Sequence, residues 1–157
     1  MRVKLDIPIS ISDVIHTTCA RSVYDENKYI YAICTDTRVA EPNDLFIALK
    51  GEIGNGECYV DEALTKGCYV LSSATRGDVL EVEDTTDALL SLAKFYKSQI
   101  NPKYTVAVTG SVGKSTTVKF LSKILGVAHR VHSPTGNFNN HLGVPLTILA
   151  TDRKSVV

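Results

Sequence analysis

Tyr104-Thr-Val-Ala-Val-Thr-Gly-Ser-Val-Gly-Lys-Ser-Thr-Thr117 is an apolar run that ends in a glycine-bounded turn followed by Lys114, Ser115 and Thr116. Val106 to Val108 suit a buried strand, and Gly110 and Gly113 let the backbone turn tightly enough to aim several N–H groups at phosphate oxygens. A helix starting near Gly113 adds its unpaired N-terminal N–H groups and the positive end of its dipole, a supporting contribution of about 0.3–1 kcal/mol. Lys114 supplies more. A charge-assisted bond from its ammonium to a β- or γ-phosphate contributes roughly 1.5–3 kcal/mol, and the Ser115 hydroxyl can sit on Mg²⁺. Strand, turn and helix in this order read as a phosphate-binding loop; the alternative is a glycine turn with an incidental Lys-Ser pair. The usual loop is G-x-x-x-x-G-K-[ST], and its first glycine falls here on Val108, so this is the shorter T-G-x-x-G-K-[ST]-T form.

Outward from that loop the chain has an ordinary globular character. Its 157 residues, 44% hydrophobic and 22% charged, can hold one domain or two small ones. The 17 basic and 17 acidic residues cancel, so no global field recruits nucleic acid or an anionic membrane, and an anionic ligand must be held locally. Met1-Arg-Val-Lys-Leu-Asp6 lacks the apolar core of a signal peptide, and a cytoplasmic location is expected. Cys19, Cys34, Cys58 and Cys68 form no C-x-x-C pair and have no histidine at ligand spacing, so reduced, mostly buried thiols are expected in place of zinc or disulfides.

The alternation of elements predicts an α/β fold. Ser12 can cap a helix over residues 13–21, Tyr29 to Cys34 reads as a strand running into Thr35-Asp-Thr-Arg38, and residues 44–49 read as a second strand. Gly54, Asn55 and Gly56 mark a loop, residues 59–66 carry helical spacing up to Gly67, and residues 68–71 and 79–82 are strand candidates. Thr85 or Thr86 should cap a helix over residues 87–100, which Asn101-Pro102 ends, giving a boundary between residues 1–101 and 102–157. Beyond it come a strand at 105–108, the phosphate loop, a helix at 114–125, a strand at 130–133, a helix at 144–150 and a last short strand. A small N-terminal mixed α/β domain followed by the start of a parallel-sheet P-loop domain is the expected architecture. The second unit has few residues with which to cover a parallel sheet, which suggests the front end of a longer protein.

Three ordered motifs resemble the Mur ligase family. Thr109-Gly-Ser-Val-Gly-Lys-Ser-Thr-Thr117 is similar to its ATP loop; Gly136-Asn-Phe-Asn-Asn-His-Leu-Gly-Val-Pro-Leu-Thr147 is similar to its G-N-x-N-N-x-x-G-x-P-x-T segment; and Thr35-Asp-Thr-Arg38 with Pro42-Asn-Asp-Leu-Phe-Ile-Ala-Leu-Lys-Gly51 resembles the D-[ST]-R and P-G-D-L-F-x-A-L-x-G pattern of its UDP-binding domain. Two departures stand out: Asn55-Gly-Glu57 lies where the family usually has D-G-H, and Asn43 replaces a common glycine, which is benign because asparagine tolerates turn conformations.

The resemblance implies an ATP-dependent amide synthesis in which D-alanyl-D-alanine is joined to UDP-N-acetylmuramoyl-tripeptide for peptidoglycan, by an enzyme that is a monomer when full length. It implies that Thr109, Gly110, Ser111, Val112, Gly113, Lys114, Ser115 and Thr116 hold ATP, with Lys114 and Ser115 catalytic and Ser115 on Mg²⁺. Asn137 and Asn140, with Asn139 near them, would line the nucleotide side. Thr37 and Arg38, with Lys50, Gly51 and Asn55 as neighbours, would hold the UDP-sugar, and the planar fork of Arg38 suits a pyrophosphate. A structural salt bridge from Arg38 to Asp36 or Asp44 is the competing role. The family's acidic Mg²⁺ ligand, carbamylated lysine and amino-acid-binding domain would follow Val157, leaving this chain alone inactive. A related ligase of the folylpolyglutamate type and a non-catalytic precursor-binding module are the other functions compatible with these residues.

Overall fold

A computed structural model describes residues 1–51, 54–134, 142–153 and 155–156. Five strands form the main sheet in the order β1 (Arg2–Ser10), β2 (Tyr29–Cys34), β3 (Leu45–Ile47), β4 (Tyr69–Ser72) and β5 (Leu80–Glu81). β1 runs antiparallel to β2, and every later neighbour pair is parallel. The sheet is therefore mixed, and mostly parallel.

Alternation along the strands divides the interior in two, because successive side chains point to opposite faces. Leu45, Ile47, Leu71 and Leu80 belong to the larger core. That core is covered by α1 (Ile11–Thr18), α3 (Thr85–Ile100) and α5 (Gly143–Leu149) through Val14, Leu89, Leu92, Leu146 and Leu149. Phe46, Ala48 and Val70 face the other way, against Val60 and Ala63 of α2 (Val60–Thr65). Both faces of the central strands are thereby buried, as parallel pairing requires.

β1 is an element absent from the sequence expectations. Its apolar residues Val3, Leu5 and Ile9 are buried, whereas Lys4 and Asp6 point out, so the period-2 signal is present beneath the charges. Its register with β2 shifts between Lys4 and Ile9. There the buried Tyr96 hydroxyl of α3 accepts from the Asp6 N–H at 2.7 Å and the Ile7 N–H at 3.3 Å. Tyr96→Phe leaves those two donors without their acceptor and should lower stability by about 1–2 kcal/mol, measured by urea denaturation, with the ligand surfaces unaffected.

Two caps also move. Ser10, rather than Ser12, caps α1, accepting from the Asp13 N–H at 3.0 Å. Asp84, rather than Thr85 or Thr86, caps α3, accepting from the Thr86 and Asp87 N–H groups at 2.6 and 3.0 Å. Thr85 is committed elsewhere: it is buried and donates to the Ala48 carbonyl at 3.1 Å. Asn43 takes a φ of 66°, the left-handed conformation expected where a glycine is common.

The C-terminal third corrects another expectation. Residues 104–109 form no strand, and Val106 is exposed, because among the described residues no neighbour pairs with them. Among the described residues β6 (Arg130–Val131) and β7 (Ser155–Val156) pair only with each other, in parallel. α4 (Lys114–Leu125) has no buried residue, and Phe120 and Ile124 face solvent. α5, by contrast, packs on α3 and β1, and Arg153 anchors the same segment by an ion pair to Asp6 at 3.1 Å.

Of the four thiols, Cys34 and Cys68 are buried, and burial pushes Cys68 up to about 11. Cys19 and Cys58 are exposed, contrary to expectation, since one sits at the left-handed end of α1 and the other in a surface turn. No helix among the described residues is long and apolar enough to cross a membrane.

Candidate ligand-binding sites

The phosphate loop is built by two glycines. Gly110 and Gly113 have φ of 140° and 82°, a region that other residues rarely enter, and Gly113 opens α4 directly. No side chain caps α4, so its first N–H groups are left to an outside acceptor. Lys114 folds back across the turn, its Nζ donating to the Gly110 carbonyl at 2.6 Å. Thr117 closes the first turn from inside, its hydroxyl donating to the Gly113 carbonyl at 3.0 Å. The loop thus combines free amides, one ammonium and the Ser115 and Thr116 hydroxyls. That donor set fits phosphate oxygens, and Ser115 fits Mg²⁺ only in company with those oxygens, since a lone neutral hydroxyl is a weak ligand. No group of three metal-binding His, Cys, Asp or Glu side chains occurs among the described residues. Asn137, Asn139 and Asn140 lie outside the described residues.

The second surface lies at the carboxyl ends of the parallel strands, where open α/β sheets commonly bind ligands. After β2, a 3₁₀ turn over Thr37–Val39 starts from Asp36, whose carboxylate accepts from the Arg38 N–H at 3.1 Å. The same carboxylate holds the Arg38 fork in two bonds of 2.9 and 2.7 Å. Of the two partners proposed from sequence, Asp36 is the one used. Asp44 is taken by Arg2, through bonds of 2.6 and 3.0 Å. The hydrogen bonds from the Arg38 side chain, against some desolvation, hold the Asp36 carboxyl well below the usual carboxylate range. Arg38 remains 85% exposed.

Thr37 and Arg38 line a cleft of about 460 Å³ together with Met1, Thr35, Asp36, Phe46, Tyr59 and Glu62. In the sequence Tyr59 and Glu62 fall within the helical spacing of residues 59–66 and carry no signal of a site. Their proximity to Arg38 is set by the packing of α2 on the sheet, which no local pattern reports. Lys66 ties two of these residues together, donating to the Thr37 carbonyl at 2.5 Å and pairing with Glu62 at 3.0 Å.

Lys50, Gly51 and Asn55 come together in a separate turn after β3. Lys50 and Asn55 form an antiparallel bridge, the Gly51 N–H donates to the Gly54 carbonyl at 2.8 Å, and the Asn55 side chain accepts from the Glu57 N–H at 3.1 Å. None of the three lines the cleft of Arg38. Gly56 passes so close to the segment just after β3 that a Cβ there would stand 2.7 Å from Leu49 backbone atoms.

Glu57, the departure from D-G-H, is tied to the end of β4. Its carboxylate accepts from the Ser72 hydroxyl at 2.5 Å and from the N–H and hydroxyl of Ser73 at 2.9 and 2.8 Å. Desolvation pushes the carboxyl up, but these bonds together outweigh it and lower the pKa below its ordinary 4.5. The lowered carboxyl adds stability above pH 4.5, and that contribution disappears as the pH falls through the folded value. Thermal melts of wild type and Glu57→Gln should therefore differ at neutral pH and converge on acidification.

Residues 108–157 match the Mur ligase middle domain. The chain is 38% identical over 148 residues to UDP-N-acetylmuramoyl-tripeptide--D-alanyl-D-alanine ligase of Bacillus subtilis, covering 90% of this chain and 32% of the relative. The corresponding Haemophilus influenzae ligase is 41% identical over 144 residues, covering 86% and 31%. Residues 108–157 thus correspond to part of a Mur ligase middle domain, and the chain as a whole is similar to ligases of that family.

Within that family the fold is similar to MurF. A crystal structure of MurF from Acinetobacter baumannii matches with a TM-score of 0.88 at 30% identity, over 99% of this chain and 36% of that one. MurF from Thermotoga maritima, in complex with ADP, matches with a TM-score of 0.70 at 30% identity, over 80% and 30%. The chain spans about a third of the length of the curated relatives it matches.

Proposed function

We propose that this chain is the N-terminal part of an ATP-dependent ligase that adds D-alanyl-D-alanine to UDP-N-acetylmuramoyl-tripeptide in peptidoglycan precursor synthesis. The reading is carried by one observation: a phosphate loop and a mixed-sheet unit with an open carboxyl-end cleft share a chain that follows MurF over nearly its whole length. Residues 1–101 hold the UDP precursor, with Thr37, Arg38, Lys50, Gly51 and Asn55 around it. Residues 102–157 begin the ATP-binding domain.

The tripeptide's terminal carboxylate attacks the γ-phosphate, ADP leaves, and the dipeptide amine then displaces phosphate from the acyl-phosphate. Catalysis of this kind is mostly placement and charge neutralisation. Lys114 neutralises the β- and γ-oxygens, and the amides from Gly110 to Ser115 orient them. Mg²⁺, when bound beside Ser115, shares the phosphate charge. Asn137 and Asn140 lie on the nucleotide side. The enzyme works in the cytoplasm as a monomer, and the 157-residue chain by itself does not turn over.

Incubating the full-length protein with ATP, the UDP-tripeptide and D-alanyl-D-alanine tests this. Release of ADP and phosphate with growth of the precursor by one dipeptide is expected. ATP consumption that requires a single amino acid or a glutamate acceptor instead would assign a different ligase.

A further inference from the structure

The cleft beyond β2 suits a flat, neutral ligand better than a diphosphate. Its lining sets the one Arg38 guanidinium against the carboxylates of Asp36 and Glu62, so its charged side chains offer no net positive charge to a diphosphate. One edge of the Arg38 guanidinium, Nε and one Nη, is taken by Asp36, whose carboxylate also accepts the Arg38 N–H. A diphosphate inside the cleft would therefore meet the Asp36 carboxylate beside the remaining Arg38 donors. Glu62 is held by Lys66 and is hydrogen-bonded to the Thr37 side chain.

What the cleft offers freely is the ring of Tyr59, 52% exposed, flanked by carboxylate oxygens that accept hydrogen bonds. A pyrimidine nucleoside has the matching chemistry: a π face for the ring and N–H and O–H donors for the carboxylates.

We propose that Tyr59 is the specificity-determining residue for the nucleoside end of the UDP precursor, stacking on the base inside the cleft while the diphosphate lies outside it. Asp36 and Glu62 accept from the base or ribose, and the Arg38–Asp36 pair stays intact as one wall. This rests on the precursor-binding role proposed above for residues 1–101.

The test is proton NMR of uridine and of UDP-N-acetylmuramoyl-tripeptide with this chain, wild type and with Tyr59→Leu or Tyr59→Phe, each checked by circular dichroism. In wild type the base H5 and H6 resonances should move upfield by ring current, a readout that needs no variant. Tyr59→Phe should keep the shift, and Tyr59→Leu should lose it with affinity falling about 5- to 100-fold, the range of one base–aromatic stack. Precursor that binds wild type without the H5 and H6 shift, or binds Tyr59→Leu equally well, overturns the stacking role and leaves the precursor site standing. Displacement of uridine by inorganic pyrophosphate at similar concentration also overturns it, by placing the diphosphate in the cleft. Precursor that fails to bind wild type removes the N-terminal precursor site and this inference together.

Discussion

Lys114→Ala in the full-length protein should weaken ATP binding about 10- to 100-fold, the equivalent of one charge-assisted hydrogen bond of roughly 1.5–3 kcal/mol. The loop amides and the start of α4 remain in the variant, so binding is reduced and not abolished. The ammonium already lies across the loop, donating to the Gly110 carbonyl at 2.6 Å. The fold is not at stake, because α4 buries nothing and alanine is a good helix former. Titration with a fluorescent ATP analogue measures the effect, and unchanged affinity would put the nucleotide elsewhere. Lys114→Arg should recover only part of it, since a planar fork does not replace a compact ammonium.

Asp44→Ala should cost about 2–4 kcal/mol of stability, the largest effect of any single polar change on the N-terminal unit. Asp44 is only 3% exposed, yet it carries both bonds from Arg2 and accepts the Glu41 N–H at 2.9 Å. Its removal leaves a half-buried guanidinium with only the more exposed Glu41 and frees the turn that leads into β3. The lower part of the range reflects the partial exposure of Arg2, which water can reach. Urea denaturation with an unchanged m-value checks it. Asp44→Asn should fall between, because its amide oxygen can still accept from Glu41.

Arg2 and Asp44 also explain what the sequence does and does not disclose. The helix over Lys114–Leu125 is legible to the residue, since a glycine turn before it and Gly126 after it act locally. The strand over Tyr29–Cys34 is equally legible from its apolar run. β1 is masked by its charged residues, and without β1 nothing indicates that Arg2 claims Asp44 and leaves Asp36 to Arg38. Caps fail in the same way: Thr85 has the right chemistry, but a tertiary bond to Ala48 uses its hydroxyl. The apolar run at residues 104–109 shows the opposite error, because strand character belongs to a pairing and not to a run. In the candidate site, the phosphate loop is a contiguous motif and could be read directly. Tyr59 and Glu62 reach Arg38 only through the packing of α2, and no spacing encodes that.

The measurement closest to the central claim is a calorimetric titration of UDP-N-acetylmuramoyl-tripeptide into this chain. Saturable binding with one site per chain, retained in Lys114→Ala, is the predicted result, because no residue of the glycine loop lines the cleft of Arg38. No heat of binding in a sample whose circular dichroism shows the folded mixed sheet would contradict a precursor site in residues 1–101.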